Sequence, residues 1–156
     1  MQRRRFLGGA LAGLGAGVAP EVQAEETFEV TRTKEEWKAR LSDLEYRVMR
    51  QEGTEPAFSS PLHDLKTEGT YSCRGCDQPL YSSEHKFDSG TGWPSFYRAV
   101  AEDAVATKRD WKLIVPRTEV HCARCGSHLG HIFDDGPPPT GKRHCINGVS
   151  LVFREA

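Results

Sequence analysis

Five cysteines, four of them set in two Cys-x-x-Cys pairs, constrain this chain more than any other feature. Cys73-Arg-Gly-Cys76 and Cys122-Ala-Arg-Cys125 together supply four thiolates, the ligand set of a closed tetrahedral metal site. Residues 77–121 lie between the pairs, a longer stretch than small zinc fingers enclose, so a metal here would clip two distant hairpins together. One structural zinc ion is the expected occupant. Iron suits the same four ligands, and in an oxidising compartment each pair could instead act as a dithiol or close as a disulfide. Cys145 is left over under every one of these arrangements.

The first 24 residues differ in kind from the rest. Arg3-Arg4-Arg5-Phe6-Leu7 leads into an uncharged, glycine-rich run over residues 8–19, and Val22-Gln23-Ala24 precedes an acidic start. A basic head, an apolar stretch and a small-residue cleavage site in that order make a signal peptide. Arg-Arg-x-Phe-Leu resembles the twin-arginine export motif. The run is too short and too rich in glycine to span a membrane, so no stable membrane insertion is expected after cleavage. The expected organisation is a signal peptide over 1–24, a linker over 25–32 and one domain over 33–155, exported to the bacterial periplasm. Passage in the folded state would suit a protein that takes up its metal in the cytoplasm.

With 21 Lys+Arg against 22 Asp+Glu the net charge is −1, and loss of Arg3, Arg4, Arg5 and Glu21 with the leader makes it −3. Neither value suits a nucleic-acid partner, which needs a basic surface. An aromatic content of 9 % excludes a disordered chain. Thr33 and Glu36 match a capping box, and Trp37, Leu41, Leu44 and Val48 recur at helical spacing, which predicts one helix over 33–50. Ser60-Pro61 could start a further helical turn through Leu65. Beyond Gly69 short extended runs dominate. Residues 111–115, 117–122 and 148–153 read as strands, so the chain is mostly β with its helices at the N-terminal end.

Three clusters carry candidate chemistry. Cys145 sits in Lys142-Arg143-His144-Cys145-Ile146-Asn147, where basic neighbours favour the nucleophilic thiolate. If the last strand begins at Cys145, alternation puts Cys145, Asn147, Val149, Leu151 and Phe153 on one side, with the Asn147 amide beside the sulfur. A buried, inert cysteine is the alternative. His128 and His131, followed by Asp134 and Asp135, could form an acid–base pair, bind a metal, or be ordinary surface residues. The loop Asp88-Ser-Gly-Thr-Gly-Trp93-Pro-Ser-Phe96 delivers Trp93 either as an exposed apolar wall or as a core anchor.

In combination these motifs resemble the methionine-R-sulfoxide reductases of the B type. The resemblance rests on both knuckles, Asp88 to Phe96, His128 to His131, Arg143 to Leu151, Gly53 to Pro56, and Asp135 to Pro137 with Thr140-Gly141. It runs from about residue 33 to residue 155. It implies two antiparallel β sheets with short N-terminal helices, a structural four-cysteine zinc site, and reduction of the R epimer of methionine sulfoxide, chiefly in oxidised proteins or peptides. By the same resemblance Cys145 attacks the sulfoxide sulfur and becomes a sulfenic acid. His128 and His131 hold and protonate the oxygen with help from Asn147, Trp93 packs on the S-methyl group, and Asp135 and Arg143 orient the network.

Two positions depart from the family pattern. Thr91 stands where many members carry a resolving cysteine, so a thioredoxin-like external thiol is the expected reductant. His144 stands where tyrosine is usual, next to the nucleophile. The competing readings are a non-catalytic zinc-bearing β module that binds a partner through the Trp93 loop, and an electron carrier with iron on the four thiolates.

Overall fold

Two capping boxes, not one, open the described part of the chain. The computed structural model describes residues 26–156, so the expected signal peptide and its cleavage site lie outside the described residues. Thr33 and Glu36 cap α1 (Lys34–Arg40) as the sequence predicts. A second box follows at once: the Ser42 hydroxyl accepts from the Glu45 N–H, and the Glu45 carboxylate accepts from the Ser42 N–H at 2.8 Å. An N-cap residue is extended, so Ser42 ends one helix and starts α2 (Asp43–Gln51) where a single helix was predicted. The apolar stripe survives the break, and Trp37, Leu41, Val48 and Met49 are buried. At Ser60-Pro61 only bends and a single turn form, with the His63 N–H donating to the Ser60 carbonyl.

The strands follow as β1 (Gly69–Cys73), β2 (Pro79–Ser82), β3 (Lys86–Phe87), β4 (Ser95–Phe96), β5 (Val105–Asp110), β6 (Arg117–Cys122), β7 (His128–Phe133), β8 (Arg143–Ile146) and β9 (Leu151–Glu155). They build two antiparallel sheets, a three-stranded one in the order β2-β1-β9 and a six-stranded one in the order β3-β4-β8-β7-β6-β5. The mostly β fold with two sheets and short N-terminal helices is therefore as expected.

Two strand predictions fail for identifiable reasons. The run predicted from Gly148 begins instead with a 3₁₀ turn, Gly148–Ser150, and only Leu151 onward is extended. The buried Glu55 carboxylate accepts from the Gly148 and Val149 N–H groups at 2.5 and 3.0 Å, which takes both out of any ladder. A side chain at Gly148 would lie 2.0 Å from Ser60 Oγ, so only glycine fits the turn. Here the chain leaves the larger sheet at β8 and enters the smaller one at β9, and simple alternation from Cys145 to Phe153 does not hold. The second failure is Trp111–Val115. Asp110 and Arg117 are the last paired residues of the β5–β6 hairpin, and Trp111 to Val115 form its exposed tip.

Residues 25–32 were expected to be a linker, yet Phe28 to Arg32 are docked across both cysteine turns. The Val30 N–H donates to the Arg124 carbonyl, Arg32 donates to the Gly75 carbonyl and lies 4.7 Å from the Trp37 ring, and Phe28 packs edge-on against His121.

The core lies between the sheets. Tyr81 of β2 stacks on Phe96 of β4 at 4.4 Å, with Tyr71, Leu80, Leu129, Ile146 and Leu151 fully buried around them. His144 belongs to this core: its Nδ1 is 3.1 Å from the Tyr81 hydroxyl. Burial, with Lys142 nearby, pushes the imidazole down to about 4, so it is neutral at physiological pH. A depressed folded-state value means that the unfolded chain takes up this proton first, and stability falls as pH drops from about 6.5 towards 4. The difference is on the order of 3 kcal/mol before solvent screening. His144→Gln, which retains an acceptor for Tyr81, should flatten this acid limb in urea unfolding measured between pH 7 and pH 4. An unchanged slope would remove His144 as its source.

Candidate active site and metal centre

The four knuckle cysteines meet at the junction of the sheets. Cys73 ends β1 in the smaller sheet and Cys122 ends β6 in the larger. After each strand the chain makes the same turn: the Cys73 N–H donates to the Gln78 carbonyl and the Cys122 N–H to the Ser127 carbonyl, both near 2.9 Å. The left-handed position of each turn is filled by Asp77 and by Gly126. Gly75, inside the first knuckle, serves packing instead, because a Cβ there would crowd the Trp37 ring at 3.1 Å. The four sulfurs lie within 4.8 Å of one another, with Cys73–Cys125 at 3.7 Å and Cys76–Cys122 at 3.6 Å. A tetrahedron with Zn–S bonds of 2.3 Å has edges of about 3.8 Å, so these positions could hold a zinc ion with little rearrangement. At these separations the sulfurs are not joined as two disulfides.

Cys145 lies elsewhere in the larger sheet. It is the direct cross-strand neighbour of His131 on β7 and of Ser95 on β4. Beside it opens a cavity of about 140 Å³ lined by Cys145, His131, Asn147, Trp93, Thr54, Arg117, Gly130 and Phe133. Four residues singled out in the sequence therefore share one pocket. Gly130 is demanded by the strand crossing, since a Cβ there would lie 1.9 Å from the Cys145 carbonyl oxygen. Trp93 is half-buried, its indole N–H donating to the Glu55 carbonyl at 3.1 Å, which turns the ring into a wall of the cavity.

Residues three apart on a regular strand face opposite ways. A β-bulge corrects this for the two histidines. Val120 pairs with Gly130 but His121 pairs with His128, leaving Leu129 as the extra residue. The His128 and His131 rings consequently approach to 5.5 Å. Only His131 lines the cavity. Its Nε2 meets Asp110 Oδ2 at 2.8 Å. Asp110 is held well below the ordinary carboxylate range by the Lys112 backbone N–H, His131 and Arg117, so it accepts the bond and His131 carries its proton on Nε2. His128 is fully buried, and its Nδ1 bonds Glu119 Oε1 at 2.6 Å while the other carboxylate oxygen takes His121 at 2.8 Å. Burial alone would raise the Glu119 carboxyl, but the two imidazoles hold it at about 2.

Asn147 is more occupied than expected. Its Oδ1 accepts from the Glu55 N–H and its Nδ2 donates to the Leu129 carbonyl, both at 2.9 Å, which leaves one amide N–H for the pocket. Asp135 grips Arg143 through two bonds at 2.8 and 3.1 Å, and the guanidinium lies 4.4 Å from the Phe133 ring. Arg143 and Thr91 are the neighbours that favour a thiolate at Cys145. They do not produce the thiolate inferred from basic neighbours. Burial raises the Cys145 thiol above its ordinary value, and Arg143 and Thr91 offset it only in part. Of the other basic neighbours, Lys142 pairs with Asp134 at the surface and His144 points into the core on the opposite face.

A SelR domain model matches residues 41–155. The chain belongs to the SelR-domain family. Relatives include a "Peptide methionine sulfoxide reductase MsrB" of Methanosarcina barkeri, 54 % identical over 125 residues that cover 80 % of this chain and 88 % of its own length. The MsrB protein of Thioalkalivibrio sulfidiphilus is also 54 % identical, over 80 % of this chain and 90 % of its own. A chloroplastic "Peptide methionine sulfoxide reductase B1" of Oryza sativa is 52 % identical over 82 % of this chain and 60 % of its own.

Within this member of the family, sequence reasoning missed Asp110, Glu119, Arg117 and Glu55 as supports of the site. Glu119 gave no signal, because it shares the polar register of β6 with Arg117 and His121 and is buried only by the fold. Asp110 and Glu55 had none, because their partners come from 21 and 93 positions away. The metal centre gives a direct prediction. Cys125→Ser should lose bound metal, measured by elemental analysis of the purified protein, and lower the melting temperature sharply, since structural zinc contributes roughly 10 kcal/mol or more to folding. Full metal content and an unchanged melting curve would separate the cysteine cluster from metal binding.

Proposed function

We propose that this chain reduces methionine sulfoxide in peptides and proteins to methionine, and that it acts on the R epimer. The observation that carries the reading is the cavity that brings Cys145, His131, Asn147 and Trp93 together in a chain about half identical to peptide methionine sulfoxide reductases. The sulfoxide group has one polar and one apolar substituent beside the side-chain methylene. An apolar Trp93 wall receives the S-methyl group, in a sulfur–aromatic contact on the order of 1 kcal/mol. The polar side, with His131 and the remaining Asn147 N–H, receives the oxygen. Exchanging the two substituents would set a methyl against polar donors and the oxygen against an indole, which is the basis of selection between epimers.

In the reaction Cys145 Sγ attacks the sulfoxide sulfur. His131 accepts the thiol proton and delivers it to the oxygen; the oxygen then passes from the substrate sulfur to Sγ, the transient Sγ–S bond breaks, and methionine leaves as Cys145 becomes a sulfenic acid. No proton is gained or lost overall: a sulfoxide and a thiol give a sulfide and a sulfenic acid. A raised thiol and an imidazole lowered by burial favour a neutral resting pair, so attack and proton transfer proceed together. Asp110 steadies His131 while it carries the extra proton. The four knuckle thiolates hold a zinc ion whose part is structural.

Regeneration draws on an external thiol, such as a thioredoxin-like partner. This rests on Thr91, which stands where a resolving cysteine is found in many members of the family, and on the commitment of the other four cysteines to the metal. The enzyme works outside the cytoplasm, in the periplasm of a bacterial cell, a reading supported by the twin-arginine-like start of the sequence. None of the described helices is long and apolar enough to cross a membrane.

A stereospecific assay on the separate R and S epimers of N-acetyl-methionine sulfoxide, with dithiothreitol as reductant, tests the reaction. Turnover should be confined to R and abolished in Cys145→Ser with metal retained; equal turnover of both epimers would refute the pocket assignment. Mass spectrometry after a single turnover without reductant should find Cys145 as the sulfenic acid, trapped by dimedone, and a disulfide from Cys145 to a knuckle cysteine would contradict it. Thr91→Cys should convert that same intermediate into an internal disulfide, which peptide mapping would detect. Persistence of the free sulfenic acid would mean that position 91 lies out of reach.

A further inference from the structure

Among the described residues, the large hydrophobic side chains left in water are concentrated in one place. Trp111 is 71 % exposed, Ile114 fully so, and Leu113 and Val115 lie more than half in solvent, all in the tip of the β5–β6 hairpin. Isolated exposed apolar residues are ordinary, whereas four within five successive positions mark a contact surface.

The tip is not a loose end. It is fixed to the walls of the Cys145 cavity on both sides. At its base Arg117 lines the cavity and donates to Asp110 at 2.6 Å, and the same carboxylate oxygen holds His131. Lys112, within the tip, is ion-paired with Glu52, two residues before the cavity-lining Thr54. Lys108 shares that carboxylate. On the Trp93 side stands another exposed apolar residue, Phe58, whose backbone N–H donates to the Gly92 carbonyl. Exposed apolar residues are therefore joined to the cavity lining both at Arg117 and beside Trp93.

We infer that the Trp111–Val115 tip is the docking surface for the polypeptide that carries the oxidised methionine, and that it takes apolar residues flanking that methionine. This deepens the proposed function and rests on it. Sequence segments rich in leucine, valine and phenylalanine are buried in folded proteins, so the tip would direct the enzyme towards chains that are unfolded or not yet folded.

The test uses the full mature protein and a Trp111→Ser/Ile114→Ser double variant, both exposed positions outside the reacting centre. Two synthetic peptides each carry one methionine R-sulfoxide, flanked by Leu, Val and Phe in one and by Ser and Asp in the other. The unaltered protein should show the lower KM for the apolar peptide. The double variant should raise that KM about tenfold, the loss typical of one aromatic anchor, with kcat unchanged and N-acetyl-methionine-R-sulfoxide reduced as before. Equal KM values for the apolar peptide in both proteins would overturn the proposal. Calorimetric binding of the apolar peptide, in the Cys145→Ser background with and without the tip changes, reads docking apart from turnover. Absence of turnover with tip-dependent binding would sink the reductase reading alone, and turnover with tip-independent binding would sink the docking surface alone. Tip-dependent dimerisation in sedimentation, or tip-dependent flotation with phosphatidylglycerol vesicles, would assign the surface to a second copy or to a membrane and refute it.

Discussion

Four sulfur atoms at the meeting point of two sheets are the constraint on which the remaining structure rests. Cys73 belongs to the end of β1 and Cys122 to the end of β6, strands that share no hydrogen bonds and lie in different sheets. Holding these ends together fixes how the sheets face each other, and the Tyr81–Phe96 stack then fills the space between them. The second cysteine turn also sets where β7 begins. His128 follows Cys125 after two residues, and the bulge at Leu129 is the adjustment between that starting point and the register that His131 shares with Glu119. The geometry of the two histidines is thus inherited from the cysteine cluster, even though the cluster takes no part in the cavity.

Three basic groups of the site are each held by a carboxylate: His131 by Asp110, His128 by Glu119, Arg143 by Asp135. The three pairs differ in setting. Glu119 and His128 are fully buried, where an unpaired carboxylate would cost several kcal/mol, so Glu119 depends on the two imidazoles that flank it. Asp135 is well exposed, and its pairing with Arg143 is worth little as stability but fixes where the guanidinium points. Asp110 is intermediate, bound to the hairpin through Lys112 and Arg117 and to the site through His131. It is the physical connection between the exposed tip and the reacting pocket.

Much of this was legible in the amino-acid sequence, and the failures have a common cause. The knuckles, the N-cap at Thr33, the strand at 117–122 and the gathering of Cys145, His131, Asn147 and Trp93 follow from local spacing or from a family resemblance. Long-range polar contacts did not show themselves. Glu55 reaches across the sequence to Gly148 and replaces a strand by a turn, which moves Asn147 out of the alternation that seemed to place it beside Cys145. Ser42 and Glu45 form a second capping box that was present in the sequence, but the uninterrupted apolar stripe masked it. Trp111–Val115 has the composition of a strand and no neighbour to pair with, because Asp110 and Arg117 close the ladder before it. Periodicity reports which side chains want burial; it does not report whether a partner is available.

The raised Cys145 thiol decides how the proposed chemistry is controlled. A thiolate open to solvent would be spent on peroxide or on stray disulfides, because susceptibility follows thiolate character and access. Burial suppresses that form in the resting site, and the nearby Arg143 and Thr91 only partly restore it. A sulfoxide oxygen seated against His131 changes this balance, since the proton leaving Sγ then has a destination. Nucleophilicity gains from the same arrangement, as it rises with the thiol's own basicity. A neutral thiol beside a neutral imidazole is thus quiescent until substrate arrives, and reactive once the polar side of the pocket is filled.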